Sequence, residues 1–165
     1  MLKVLTVFGT RPEAIKLAPI ILAFEESKSI KSIVCTTAQH RHMLDQVLNI
    51  FGVTPDIDLD IMRPNQSLSL LTSRVIAEID KVLKNVLPDI VLVQGDTTTV
   101  MAVSLVAFYN KIPVGHVEAG LRTDDIFSPF PEEMNRRITT LAANYHFAPT
   151  EAARQALLKE SVSDS

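Results

Sequence analysis

Short apolar runs alternate with stretches of helical period along the whole chain. Residues 3–8 form a β-rich run, after which Ala14, Ile15, Leu17, Ala18, Ile21 and Leu22 recur at helical spacing. Residues 32–37 read as a second strand. Leu44, Val47, Leu48 and Phe51 then mark a helix face that Gly52 closes. Residues 57–59 form a short third strand. The longest helix is expected over 68–87, with Leu71, Val75, Ile79, Val82, Leu83 and Val86 on its face and Pro88 as its stop. Residues 90–93 are continuously apolar, as in a strand covered on both sides. Residues 100–108 are apolar almost all round, which predicts a deeply buried helix. A fifth strand at 114–117, a helix at 132–143 and a sixth strand at 145–148 follow. Thr150 caps a last helix that runs to about residue 160.

Six rounds of strand–helix alternation predict βαβ units and an α/β fold: a Rossmann-like, doubly wound, mainly parallel sheet with helices on both faces. Right-handed crossovers leave few topologies, and the expected strand order is 3-2-1-4-5-6. One domain is expected over residues 1–160, with 161–165 as a frayed tail. Pro19 falls inside the first helix and predicts a kink there. Residues 120–131, with Pro129 and Pro131, show no period. Such a stretch in an α/β domain is either a surface excursion or functional.

Composition narrows the class. The chain has 165 residues, 47% of them hydrophobic and 21% charged, enough for a core and too apolar for disorder. Mean hydropathy is +0.20. Sixteen basic residues against 19 acidic ones give a net charge of −3, which argues against a nucleic-acid partner. One cysteine makes neither an internal disulfide nor a thiolate metal cage. No apolar run approaches the roughly 20 residues that span a bilayer. The first nine residues read as a strand, not a signal peptide. A soluble, cytoplasmic domain is expected.

In an open parallel sheet, ligands bind beyond the carboxyl ends of the strands where strand order reverses, here between strands 1 and 4. Strand 1 runs into Gly9-Thr10-Arg11-Pro12-Glu13, where Thr10 and Glu13 have capping-box spacing. The glycines form neither a dinucleotide fingerprint nor a P-loop. Arg11 and Lys16 place two cations near a helix N-terminus, against its dipole. They are either solvated or set for an anionic partner. Strand 4 runs into Gln94-Gly95-Asp96-Thr97. Asp96 is either the next helix's N-cap or, if Thr97 caps, a free acid/base carboxylate.

Strand 5 runs into Gly115-His116-Val117-Glu118-Ala119-Gly120. Strand alternation puts His116 and Glu118 on one side, and burial would make Glu118 a candidate general base. A His-x-Glu metal pair is the alternative, but two ligands do not make a site. His40-Arg41-His42 is an equally weak metal signal. Glu132 and Glu133 open a helix, where acidic residues are ordinary. A role for Glu132 requires the preceding loop to fold it back over the crevice. Cys35, Met43, Met101 and Met134 read as core.

Taken together, Phe8-Gly9-Thr10-Arg11-Pro12-Glu13-Ala14-Ile15-Lys16, Thr37-Ala38-Gln39-His40-Arg41, Gln94-Gly95-Asp96-Thr97-Thr98-Thr99, Gly115-His116-Val117-Glu118-Ala119-Gly120-Leu121-Arg122-Thr123 and Pro129-x-Pro131-Glu132-Glu133-x-Asn135-Arg136 closely resemble the non-hydrolysing UDP-N-acetylglucosamine 2-epimerases. The resemblance covers residues 1–160. It implies one half of a GT-B-like pair of Rossmann-like domains. It implies an isomerase that interconverts UDP-GlcNAc and UDP-ManNAc by eliminating UDP, through 2-acetamidoglucal, and adding it back. It also implies no metal and no cofactor, a cytoplasmic homodimer, and a place in polysaccharide biosynthesis.

Matched residue by residue, Asp96, Glu118 and Glu132 resemble the acid/base carboxylates. Arg11 and Lys16, with Asp96 and Glu118, resemble substrate-binding groups. Gln39, Gln66 and Glu132 match positions of a second, regulatory UDP-GlcNAc site in some members. Family chains are about twice this long, so the chain resembles an N-terminal half with little or no turnover alone. A hydrolysing 2-epimerase or a nucleotide-sugar glycosyltransferase of similar architecture is the alternative, and a non-catalytic half-domain is another.

Overall fold

The structure, a computed structural model, describes every residue except Gln39, His40, Met62, Pro64, Asp124 and Ser165, and every side chain except those and Arg41 and His42. The elements run β1 (Leu2–Phe8), α1 (Arg11–Glu26), β2 (Ile30–Thr36), α2 (Arg41–Phe51), β3 (Ile57–Asp58) and α3 (Leu68–Val86), and continue with β4 (Ile90–Gln94), α4 (Thr98–Tyr109), β5 (Val114–Val117), α5 (Glu132–Ala142), β6 (Tyr145–Phe147) and α6 (Glu151–Lys159). The strands pair in parallel in the order β3-β2-β1-β4-β5-β6, as the alternation predicts. Val4, Leu5 and Thr6 of β1 stand beside Ile90, Val91 and Leu92 of β4.

Strand alternation builds two cores. Leu5, Val7, Val91, Val93 and Val114 pack under Leu71, Val75 and Ile79 of α3 and Val100, Val103 and Ala107 of α4. Val4, Phe8, Val34 and Leu92 pack under Leu17 and Ile21 of α1 and Leu44 and Leu48 of α2. Each such side chain contributes about 1.5–3 kcal/mol on burial. The helices that follow β1 and β4 pack on opposite faces of the sheet, so the order reverses between these two strands, the place where an open α/β sheet takes its ligand.

Several details depart from the sequence reading. The helix expected to be buried throughout ends in Phe108 and Tyr109, both mostly exposed. Met43 and Met134 are also exposed, so neither is core. Cys35 is fully buried, and burial, with Asp58 nearby, pushes its thiol up to about 12. Pro19 lies within α1 without ending it. Val162 N donates to Leu157 O and Arg154 pairs with Asp164, so the segment after α6 is tied back to that helix.

The described residues between 120 and 131 are irregular, and the two X-Pro bonds there, Ser128–Pro129 and Phe130–Pro131, are cis. Thr123 Oγ1 donates to Ser128 O at 2.6 Å and Asp125 O at 3.0 Å, which closes the loop on itself. No helix among the described residues is long and apolar enough to cross a membrane.

Candidate active site

Three turns meet beyond the carboxyl ends of β1, β4 and β5. Glu13 joins the first two. Its buried carboxylate accepts from Gly9 N and Thr10 N, each at 2.7 Å, and from Thr97 Oγ1 at 2.6 Å. The capping-box spacing is therefore real, and it also clamps the start of α1 to the start of α4. Burial pushes the Glu13 carboxyl above its usual range, against the opposing pull of its hydrogen bonds.

Thr97 is the N-cap of α4, its side chain accepting from Val100 N at 3.3 Å. Asp96 is thereby released from capping. Arg136 of α5 donates from Nε to Asp96 Oδ2 at 3.0 Å, and its Nη2 lies at ion-pair distance, 2.6 Å, from the same oxygen. Asn135 Nδ2 donates to Asp96 O at 2.9 Å. Gly95, with φ +84°, presents its carbonyl to His116 Nε2 at 2.7 Å. A carbonyl only accepts, so Nε2 carries the proton and Nδ1 is left as an acceptor. That Nδ1 has no partner among the described residues. Burial is the main cause that brings His116 down to about 4.

Glu118 and His116 do not share a side. His116 lies in register with Val93, whereas Glu118 follows the end of β5 with φ +67°, where strand alternation no longer applies. Its carboxylate turns to Lys16, whose Nζ lies 2.6 Å from both oxygens. Gln94, buried at the end of β4, also donates to Glu118 Oε2. Glu118 was expected to be buried, yet its side chain is 25% exposed and that of Lys16 46%. A pair this open adds little stability and remains accessible to a ligand. Arg11 is exposed at the start of α1 and makes no hydrogen bond or ion pair with the described residues.

Adjacent residues of α5 divide differently from the sequence reading. Glu133, not Glu132, is fully buried, and it pairs with Arg136 at 3.2 Å and Arg137 at 2.9 Å and accepts from Thr123 N. Glu132 is half-buried, and its Oε2 has no hydrogen-bond partner among the described residues. Of the suggested regulatory residues, Gln66 accepts from Arg74 Nη1 at 2.8 Å, and Gln39 lies outside the described residues. Among the described residues no group of three His, Cys, Asp or Glu is arranged to hold a metal ion.

The sequence reading missed Gln94, Glu133 and Arg136, and treated Glu13 only as a cap. Gln94 carried a signal, a polar residue closing an otherwise apolar strand. Arg136 stood in the motif that carries the resemblance, but nothing in the sequence paired it with Asp96, forty residues away along the chain.

This arrangement places carboxylates and cations at the carboxyl ends of β1, β4 and β5, and comparison with known proteins gives the family. A family model described as UDP-N-acetylglucosamine 2-epimerase matches residues 22–165. The chain belongs to that family. The Salmonella typhimurium UDP-N-acetylglucosamine 2-epimerase is 58% identical over 163 residues, 99% of this chain and 43% of its own length. A crystal structure of the Neisseria meningitidis epimerase bound to UDP-GlcNAc superposes with a TM-score of 0.96 at 59% identity. It is covered over 98% of this chain and 44% of that one. The Methanocaldococcus jannaschii epimerase in complex with UDP-GlcNAc and UDP gives 0.92 at 41% identity, over 99% of this chain and 44% of that one. The chain thus spans less than half the length of these epimerases.

Proposed function

We propose that this chain is the N-terminal catalytic half of a non-hydrolysing UDP-GlcNAc 2-epimerase. The observation that carries the reading is the Lys16–Glu118 pair at the carboxyl ends of β1 and β5, with Arg11 exposed at the start of the same helix as Lys16. Inverting C2 requires a proton to leave one face and return to the other. In the forward step a carboxylate takes the C2 proton, the C–H electron pair forms the C1=C2 bond, and the C1–O bond breaks toward UDP. Return of UDP to C1 and of a proton to the opposite face of C2 gives UDP-ManNAc. Asp96, Glu118 and Glu132 supply the carboxylates.

A departing diphosphate gathers negative charge, which Arg11 and Lys16 offset. Lys16 would exchange part of its pairing with Glu118 for the ligand, and Glu118 would gain freedom to move a proton. Water must be kept from the glucal intermediate, which requires a second domain across the cleft. The isolated chain is therefore expected to turn over little or not at all. A cytoplasmic homodimer with no metal and no cofactor belongs to the same reading. So does a second UDP-GlcNAc site through Gln39, Gln66 and Glu132.

The test is a two-domain chimera, this chain followed by the C-terminal part of the Salmonella relative, incubated with UDP-GlcNAc in D2O. Deuterium is expected at C2, and Asp96→Asn, Glu118→Gln and Glu132→Gln should each slow its entry on the order of 10²–10⁴-fold. Unchanged exchange in all three variants would overturn the carboxylate roles. Free ManNAc or a glycosylated acceptor as product would overturn the reaction class.

A further inference from the structure

The turn that carries Asp96 is held at several of its polar groups. His116 fixes Gly95 O, Asn135 fixes Asp96 O, and Gly95 N donates to Val117 O at 3.0 Å. Arg136 fixes the side chain in an unusual way. Its Nε donates to Oδ2 and its Nη2 pairs with the same oxygen, while Oδ1 has no donor among the described residues. The Arg136 side chain is only 14% exposed, while that of Asp96 is 28% exposed. Behind the guanidinium, Nη1 donates to the fully buried Glu133 at 3.2 Å. Glu133 is held in turn by Arg137 and by Thr123 N.

A guanidinium locked between two carboxylates cannot swing without stranding a charge in a poorly hydrated place. Its planar fork also sets direction, which a lysine ammonium does not. We propose that Arg136 is a positioning residue: it clamps one oxygen of Asp96 and keeps the other available to substrate, with Glu133 as its anchor. The proposal rests on the reading of Asp96 as an acid/base carboxylate. Arg136 itself takes no part in bond making. It acts by keeping Asp96 within reach of the C2 proton, where a displacement of about 1 Å costs on the order of 10²-fold in rate.

The chimera tests this with Arg136→Gln and Arg136→Lys, each made alone and with Asp96→Asn. Arg136→Gln should lower kcat on the order of 10²-fold while KM changes little. Arg136→Lys, which keeps the charge but not the fork, should recover part of that loss. In the Asp96→Asn background, Arg136→Gln should cost nothing further, since the group it positions is gone. Independent, multiplying losses would overturn the proposal, as would a defect confined to KM. Full activity in Arg136→Gln while Asp96→Asn is impaired defeats only the role of Arg136. Full exchange in Asp96→Asn defeats the reading of Asp96, and this proposal with it.

A second measurement does not depend on turnover. In the 165-residue chain itself, the Arg136 Nε–H should exchange slowly with water and lose that protection in Asp96→Asn. Identical exchange in the two chains would overturn the clamp.

Discussion

Removing the Glu13 carboxylate tests the physical basis of the site. Glu13→Ala withdraws one acceptor group from three donors, the amides of Gly9 and Thr10 and the hydroxyl of Thr97. A buried donor left unsatisfied costs about 1–3 kcal/mol, toward the lower end where water can enter the space vacated. Only the Gly9 contact is wholly buried, so the summed loss is about 3 kcal/mol. A chain of this size loses roughly 2–4 °C in Tm per kcal/mol, so Tm should fall by about 10 °C.

Glu13→Gln behaves differently. The amide oxygen can keep both backbone donors, and the amide nitrogen can donate to Thr97 Oγ1, so the loss should be about 1 kcal/mol or less. The two variants also separate by pH. Burial raises the Glu13 pKa in the folded chain, so above the ordinary carboxylate value of 4.5 the folded state holds a proton longer than the unfolded one. That contribution is complete below 4.5 and is lost as pH rises through the folded value. Wild type should therefore lose stability relative to Glu13→Gln as pH rises from 4.5. Urea unfolding from pH 4 to 8, followed by circular dichroism, reads both effects. Equal midpoints for wild type and Glu13→Ala, or a pH-independent gap between wild type and Glu13→Gln, would refute the reasoning.

Two further outcomes follow from local geometry. Gly120 has φ +88°, and a Cβ there would lie 2.3 Å from Ala153 O and 2.9 Å from Leu157 Cγ. Gly120→Ala should cost more than about 3 kcal/mol, since backbone and helix must both shift, and an unchanged Tm would contradict this. His116, ordinarily near 6.5, is held down to about 4, so the unfolded chain takes up a proton between those values that the folded chain refuses. Stability should fall as pH drops through that window, and His116→Gln should flatten the fall; equal urea midpoint changes between pH 7 and 5 would refute it.

Strand order was legible because apolar runs and helical periods alternate and right-handed crossovers leave few ways to stack them. The site was legible for the same reason, since it lies where the order reverses and the turns after β1 and β4 are short. Arg11, Lys16, Asp96 and Glu118 could be named because each follows one of those strands directly or sits in the helix that does. Their partners could not be named. Lys16 was read as either solvated or set for an anionic partner, and Glu118, 102 residues on, supplies an anion in this structure. Thr97 reaches Glu13 across 84 residues, and Arg136 reaches Asp96 across 40.

Local pattern sets which elements form and in what order, because periodicity and turn chemistry act between neighbours in the chain. Which of two adjacent glutamates at the start of α5 is buried depends on the phase of that helix against the sheet, where one residue turns about 100°. Glu133 took the buried position and Glu132 the rim. The turn of Glu118 away from His116 came from a positive φ at the end of β5 that no strand periodicity announces. Packing decided these points, since burial and charge pairing are settled only when segments distant in sequence share the same few ångströms.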